Sequence, residues 1–221
     1  MEILKVAVMF SGGASALKYL FDNDSNYHKT YEVVCAITNK KDTNGERFCL
    51  KYGIPVHEIN TKMFCIGKGY TGPINKMPAN IRQDYFTHMY KFLRKNYSPD
   101  LILLSGFMLE ITNPLLLFCP IINVHPADLR ILDEETGKPK YRGDNAVTTA
   151  LHNGEKTTVS TIHVVTNELD CGRIICVSDP INVVPECSPS DHQEKMKIEC
   201  DGPAYVKALQ MITSGEYLLT M

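Results

Sequence analysis

Tryptophan is absent from this chain, the eight cysteines form no CxxC pair, and neither sign of charge dominates, with 23 Lys and Arg against 25 Asp and Glu. Each absence removes a class. Without closely spaced ligand pairs, Cys35, Cys49, Cys65, Cys119, Cys171, Cys176, Cys187 and Cys200 offer no zinc site. At 221 residues a disulfide scaffold is not needed either, so they read as reduced, mostly buried thiols of a cytoplasmic protein. No basic stripe asks for nucleic acid. No apolar run is long enough to span a membrane, and residues 1–5 enter a strand without a signal-peptide layout. Repeats, low-complexity tracts and a composition break are lacking, so residues 1–221 read as a single domain with a full core, 44% of the residues being hydrophobic.

What is present alternates. Val6-Ala7-Val8-Met9-Phe10 is a continuous apolar run suited to a central parallel strand, followed by Ser11-Gly12-Gly13-Ala14-Ser15 and a helical pattern from Ala16. Strand, small-residue turn and helix form a layout in which backbone N–H groups can receive a phosphate; a tight turn with no ligand has the same signature. A strand at 31–37, a helix at 42–52 stopped by Gly53 and a short strand at 54–59 continue the β-α-β-α-β order of a doubly wound sheet. Residues 60–79 lack periodicity and read as a long loop. The Tyr85, Met89, Phe92 and Leu93 stripe predicts a helix over 80–96.

The organising stretch is 100–126. Two buried-strand runs, 101–104 and 121–124, flank a short helix expected over 112–118, with Thr112 as cap and Pro114 in its first turn. The second strand ends in Asn123-Val124-His125-Pro126, and ligands of open α/β sheets sit beyond the carboxyl ends of the strands. A satisfied strand-end histidine remains the plainer reading of these residues alone. Beyond them, 132–140 is a charged surface excursion, 145–153 a helix, 157–165 and 173–183 strand regions, and 191–214 largely helical with an interruption or kink at Gly202-Pro203.

Together with Gly106-Phe107-Met108, Arg142-Gly143-Asp144-Asn145-Ala146, His163-Val164-Val165 and Glu168-Leu169-Asp170-Cys171-Gly172-Arg173-Ile174-Ile175, these pieces make the chain resemble the folate-dependent formyltransferases, most closely the small single-domain branch of purine synthesis, from about residue 5 to 183. The resemblance implies a three-layer α/β, Rossmann-like, mostly parallel sheet of about seven strands. It implies transfer of a formyl group from 10-formyltetrahydrofolate, a co-substrate, to the amine of glycinamide ribonucleotide, without a metal. Its partners are then small molecules rather than nucleic acid or membrane, and the chain a monomer or homodimer.

The family's catalytic trio falls on Asn123, His125 and Asp170. Asn123 and a protonated His125 would donate to the oxyanion of a tetrahedral intermediate, while Asp170 would hold His125 charged and order a water for proton transfer. Substrate contacts fall on Gly12, Gly13, Ala14, Ser15, Ala16 and Glu199, and folate contacts on Arg82, Met108, Leu109, Glu110 and Ile111. Three departures stand out. Ala14 and Ala16 replace the family's more frequent Gly and Asn, Leu109 stands where many members carry Arg, and the tract 132–140 lengthens a loop beside the expected site as a lid, a partner contact or a solvated insertion. An amino-sugar nucleotide N-formyltransferase and a non-catalytic folate- or nucleotide-binding module are the alternatives.

Overall fold

A computed structural model of the chain describes residues 2–219. By internal contacts the chain divides into two compact units, one made of 25–121 with the residues up to Ala14, the other of 15–24 and 122–219.

In the first unit, β1 (Leu4–Phe10), β2 (Tyr31–Thr38), β3 (Val56–Glu58) and β4 (Leu101–Leu104) pair in parallel, β1 lying between β2 and β4. β1 from Val6 onward and all of β4 are buried, which is why both read as unbroken apolar runs rather than alternating ones. Helix α2 (Asn44–Lys51) is capped by Thr43, whose hydroxyl accepts from the Glu46 N–H at 3.1 Å, and the chain turns away at Gly53 with φ +70°. Helix α4 (Ala79–Asn96) buries Tyr85, Met89 and Leu93 of the expected stripe together with Ile81 and Phe86, while Phe92 is only partly buried.

The expected loop over 60–79 is instead ordered. Asn60 Oδ1 accepts from Met63 N–H at 3.1 Å and starts α3 (Thr61–Gly67), and a 3₁₀ turn follows at Ile74–Lys76. Cys65, Met77 and Ile81 form its core, with Phe64, Tyr70, Ile74 and Leu109 packed around them. The helix is too short to show a period, so its Asn cap was the one legible signal. Conversely, the helix expected over 112–118 shrinks to a 3₁₀ turn at Leu115–Leu117. Thr112 caps nothing, for its hydroxyl donates to the adjacent Asn113 carbonyl at 3.3 Å. A segment this short does not recover the cost of helix nucleation.

In the second unit, α1 (Ser15–Asn23), β5 (Ile121–His125, entered from the first unit), α5 (Ala146–His152), β6 (Thr157–Thr158), β7 (Thr161–Val164), β8 (Ile174–Val177), β9 (Ile181–Asn182), α6 (Pro189–Met196) and α7 (Gly202–Ser214) follow in order. The seven-stranded sheet has the order β3-β2-β1-β4-β5-β7-β8, with antiparallel pairing at β5/β7 and β7/β8, and helices flank it. The single strand expected over 157–165 splits, because β6 leaves to pair with β9 while β7 stays in the main sheet.

No break interrupts the C-terminal helices at Gly202-Pro203. Residues Lys197–Asp201 widen into a π turn that joins α6 to α7. Pro203, which lacks an N–H, stands directly after this π turn, where the regular helical hydrogen-bond ladder is already interrupted. Glycine at 202 is needed for a different reason, since a Cβ there would lie 2.2 Å from the Tyr19 ring of α1.

Candidate active site

Alternation along β5 places Asn123 and His125 on one face of the strand. The antiparallel register with β7 sets His163 opposite Asn123 and Thr161 opposite His125. Asn123 Nδ2 lies 3.3 Å from His163 Nε2, and His163 Nδ1 lies 3.0 Å from the Val164 carbonyl. A carbonyl can only accept, so Nδ1 donates to it, and Nε2 is left standing between the Asn123 amide and the Asp170 carboxylate.

After β7 the chain turns sharply. Thr166 Oγ1 accepts from Glu168 N–H at 3.2 Å, and Gly172 passes so close to Val164 that a Cβ would sit 1.7 Å from its carbonyl oxygen. This turn carries Asp170 in a left-handed conformation, φ +53°. Its carboxylate accepts from Gly143 N–H at 2.8 Å and stands 3.4 Å from both His125 Nδ1 and His163 Nε2. His125 Nε2 donates to the Tyr141 carbonyl at 2.6 Å. Asn123, His125 and Asp170 are thus brought together as expected, and His163, Tyr141 and Gly143 join them.

Burial sets the electrostatics. It is the largest influence on His125 and holds the imidazole below its ordinary value, opposed by the Asp170 carboxylate and the Tyr141 carbonyl. Burial pushes Asp170 up, but the His163 hydrogen bond, the His125 ring and the Gly143 N–H together outweigh it and hold the carboxyl below its ordinary value. With Nε2 on Tyr141 and Nδ1 facing Asp170, neither ring nitrogen of His125 is free. Donation to a substrate oxygen requires exchange of one of these partners.

The turn after β1 is braced from two sides. Ser11 Oγ accepts from Met108 N–H at 3.0 Å, and Gly45 of α2 donates to the Gly12 carbonyl at 3.0 Å. Gly45 allows that approach; a Cβ there would meet Phe10, Ala14 and the Gly12 oxygen at 2.7, 2.8 and 2.9 Å. Ala14 takes φ +50° and is buried, as is Ala16. Gly12, Gly13 and Ser15, by contrast, retain exposure.

The expected folate residues separate. Arg82 Nη1 pairs with Glu110 at 2.7 Å, and Arg82 Nε is buried without a partner. Met108 is exposed, Ile111 is buried, and Leu109 packs against the Cys65, Met77 and Ile81 cluster. Glu199 lies in the π turn, half-exposed, 3.8 Å from Lys195, and no hydrogen bond among the described residues joins it to the trio. Among the described residues no helix is long and apolar enough to cross a membrane, and no three His, Cys, Asp or Glu side chains are grouped to hold a metal.

Four residues escaped the sequence reading of the site. His163 becomes visible once β7 is paired with β5, since the residue across from Asn123 is then a histidine. Gly143 carries a signal too, because it takes φ +71°, a conformation open to glycine. Gly45 and the Tyr141 carbonyl carry none.

A family model described as "Formyl transferase" matches residues 4–209. The trifunctional purine biosynthetic protein adenosine-3 of Gallus gallus is 27% identical over 96% of this chain, which spans 19% of that protein. The chloroplastic phosphoribosylglycinamide formyltransferase of Arabidopsis thaliana is 30% identical over 90% of this chain and 64% of its own length. Among solved structures, the phosphoribosylglycinamide formyltransferase of Anaplasma phagocytophilum is 26% identical, with a TM-score of 0.75 over 99% of this chain and 91% of that one. Glycinamide ribonucleotide transformylase 1 of Symbiobacterium toebii shares the fold, with a TM-score of 0.78 at 21% identity over the same shares of the two chains.

Proposed function

The chain belongs to the formyl transferase family, and on that premise we propose that it passes a formyl group from 10-formyltetrahydrofolate to the amine of glycinamide ribonucleotide, a step of purine synthesis. The observation that carries this reading is the buried network of Asn123, His163, Asp170 and His125. Such a network pre-arranges most of the donors and a proton acceptor before substrate arrives, which leaves only the exchange of one His125 partner for the reaction itself.

The residues divide the work as follows. The contact with His163 fixes the plane of the Asn123 amide, and an N–H of that amide is given to the oxygen on which charge develops as the amine adds. A single donor so placed lowers the barrier by about 3–4 kcal/mol. His125 supplies a second donor by exchanging the Tyr141 carbonyl for that oxygen. Burial disfavours a charged ring, so the protonated form depends on Asp170. Asp170, ionised at neutral pH, takes the proton from the incoming amine through a water and returns it to the leaving nitrogen.

The acceptor's phosphate is assigned to the Gly12, Gly13 and Ser15 turn with the N-terminus of α1, where backbone N–H groups and a hydroxyl are available. The acidic folate tail is assigned to Arg82, whose Nε lacks a partner, with Met108 offering an exposed apolar contact.

The test is a formyl-transfer assay with the purified chain and 10-formyltetrahydrofolate, offering glycinamide ribonucleotide, an amino-sugar nucleotide or no acceptor. Turnover with glycinamide ribonucleotide alone is expected. Turnover with the sugar alone, or with no acceptor, contradicts the assignment, and folate binding without any turnover contradicts catalysis.

A further inference from the structure

The charged excursion at 132–140 has no part in the chemistry just described, yet it is not a loose loop. Leu132 bridges Pro139, Asp133 N–H donates to the Lys138 carbonyl at 2.8 Å, and Gly137 N–H donates to the Asp133 carbonyl at 2.8 Å. Asp133 Oδ1 accepts from both the N–H and the hydroxyl of Thr136, at 2.9 and 2.8 Å. The tract is a closed hairpin, and its return limb runs straight into 141–143, whose backbone supplies the Tyr141 carbonyl to His125 and the Gly143 N–H to Asp170.

The same limb holds the Asp170 turn at further points. Lys138 Nζ pairs with Glu168, two residues before Asp170, and Arg142 Nη1 donates to Cys171 Sγ, one residue after it, at 3.6 Å. Lys138 also holds the Glu168 carboxyl below its ordinary value. The left-handed φ of +53° at Asp170 is one that a non-glycine residue keeps only where its surroundings over-determine it.

We propose that the hairpin is a strap that sets the position of Asp170, with Lys138 acting as a positioning residue through Glu168. This rests on Asp170 taking part in the reaction. Lys138 touches neither substrate nor reacting atoms; it fixes the turn from outside, and the Gly143 N–H reads out whether the carboxylate is in place. Both partners are about half exposed, 48% and 51%, so the effect is modest and screened by salt.

The experiment compares wild type, Lys138→Met and the charge swap Lys138→Glu/Glu168→Lys by steady-state kinetics and by hydrogen exchange at the Gly143 amide. Lys138→Met is expected to lower kcat about two- to five-fold with the KM of both substrates unchanged, and to speed Gly143 exchange by a similar factor. The kinetic defect shrinks as salt rises, and the swap restores both readouts at an unchanged melting temperature. Unchanged Gly143 exchange in Lys138→Met, or a swap that restores neither readout, overturns the strap. A wild type that transfers no formyl group overturns the functional reading instead, while the exchange measurement still decides the strap.

Discussion

Two buried carboxylates in the second unit have opposite fates. Asp170 lies among His125, His163 and the Gly143 N–H, and its pKa falls below the ordinary 3.8. Asp201, in the π turn, accepts from the Ser160 hydroxyl at 2.6 Å, and burial pushes its pKa up to about 6. Burial raises both; what separates them is the number of polar groups gathered around the charge. Where three groups converge, the chain keeps an ionised acid ready for proton transfer. Where one hydroxyl serves, it keeps an acid whose neutral form suits the packing.

The comparison breaks most severely if Asp170 loses its histidine partner. His163→Leu removes a hydrogen-bond partner of the carboxylate and frees the Asn123 amide. Turnover is expected to fall on the order of 10²–10³-fold, the magnitude associated with a misplaced oxyanion donor, while folate binding stays near wild type. Single-turnover rates with titrated folate affinity check this, and a loss below about ten-fold would remove His163 from the account.

The second break concerns Asp201. A folded-state pKa raised from 3.8 to about 6 gives stability that is fully present below 3.8 and is lost as pH rises through 6. At 1.36 kcal/mol per unit the loss is roughly 3 kcal/mol. Asp201→Asn keeps an acceptor for Ser160 and cannot ionise, so its urea midpoint should not show this fall between pH 4 and 7. Asp170 has the opposite sign: its contribution is present above the ordinary 3.8 and disappears as pH falls through its lower folded value. His125, whose charged form burial disfavours, acts in the same direction, its contribution to stability being lost as pH falls below its ordinary 6.5. A smaller effect comes from Ser160→Ala, which takes from Asp201 its hydroxyl donor and should cost about 1–2 kcal/mol at pH 7 in denaturant unfolding.

The contrast between the two acids also marks what could be read from sequence. Apolar runs and their order announced β1, β2, β4 and β5, because burial on both faces writes itself into consecutive residues. Asn123 and His125 were legible because both sit on one strand end, two residues apart. Asp170 was legible only through resemblance, since an Asp before a Gly in a turn has a commoner explanation. The rest depends on contacts that no local pattern carries. His163 reaches the site through strand pairing, Gly143 through a hydrogen bond 27 residues away in sequence, and Gly45 through a close approach to the Gly12 carbonyl. Helix α3 was missed because it is short and depends on tertiary packing around Cys65 and Met77. Arg82 and Glu110, both expected at the folate, face each other at 2.7 Å, a pairing that their 28-residue separation in sequence hides.

The central claim is that Asp170 acts as an ionised carboxylate in formyl transfer. Asp170→Asn keeps an acceptor for the Gly143 N–H and the shape of the turn, and removes the charge. Its single-turnover transfer rate, measured beside its melting temperature and folate affinity, is expected to fall at least about 10²-fold with the other two near wild type. A variant that folds, binds folate and transfers formyl at the wild-type rate would contradict the account.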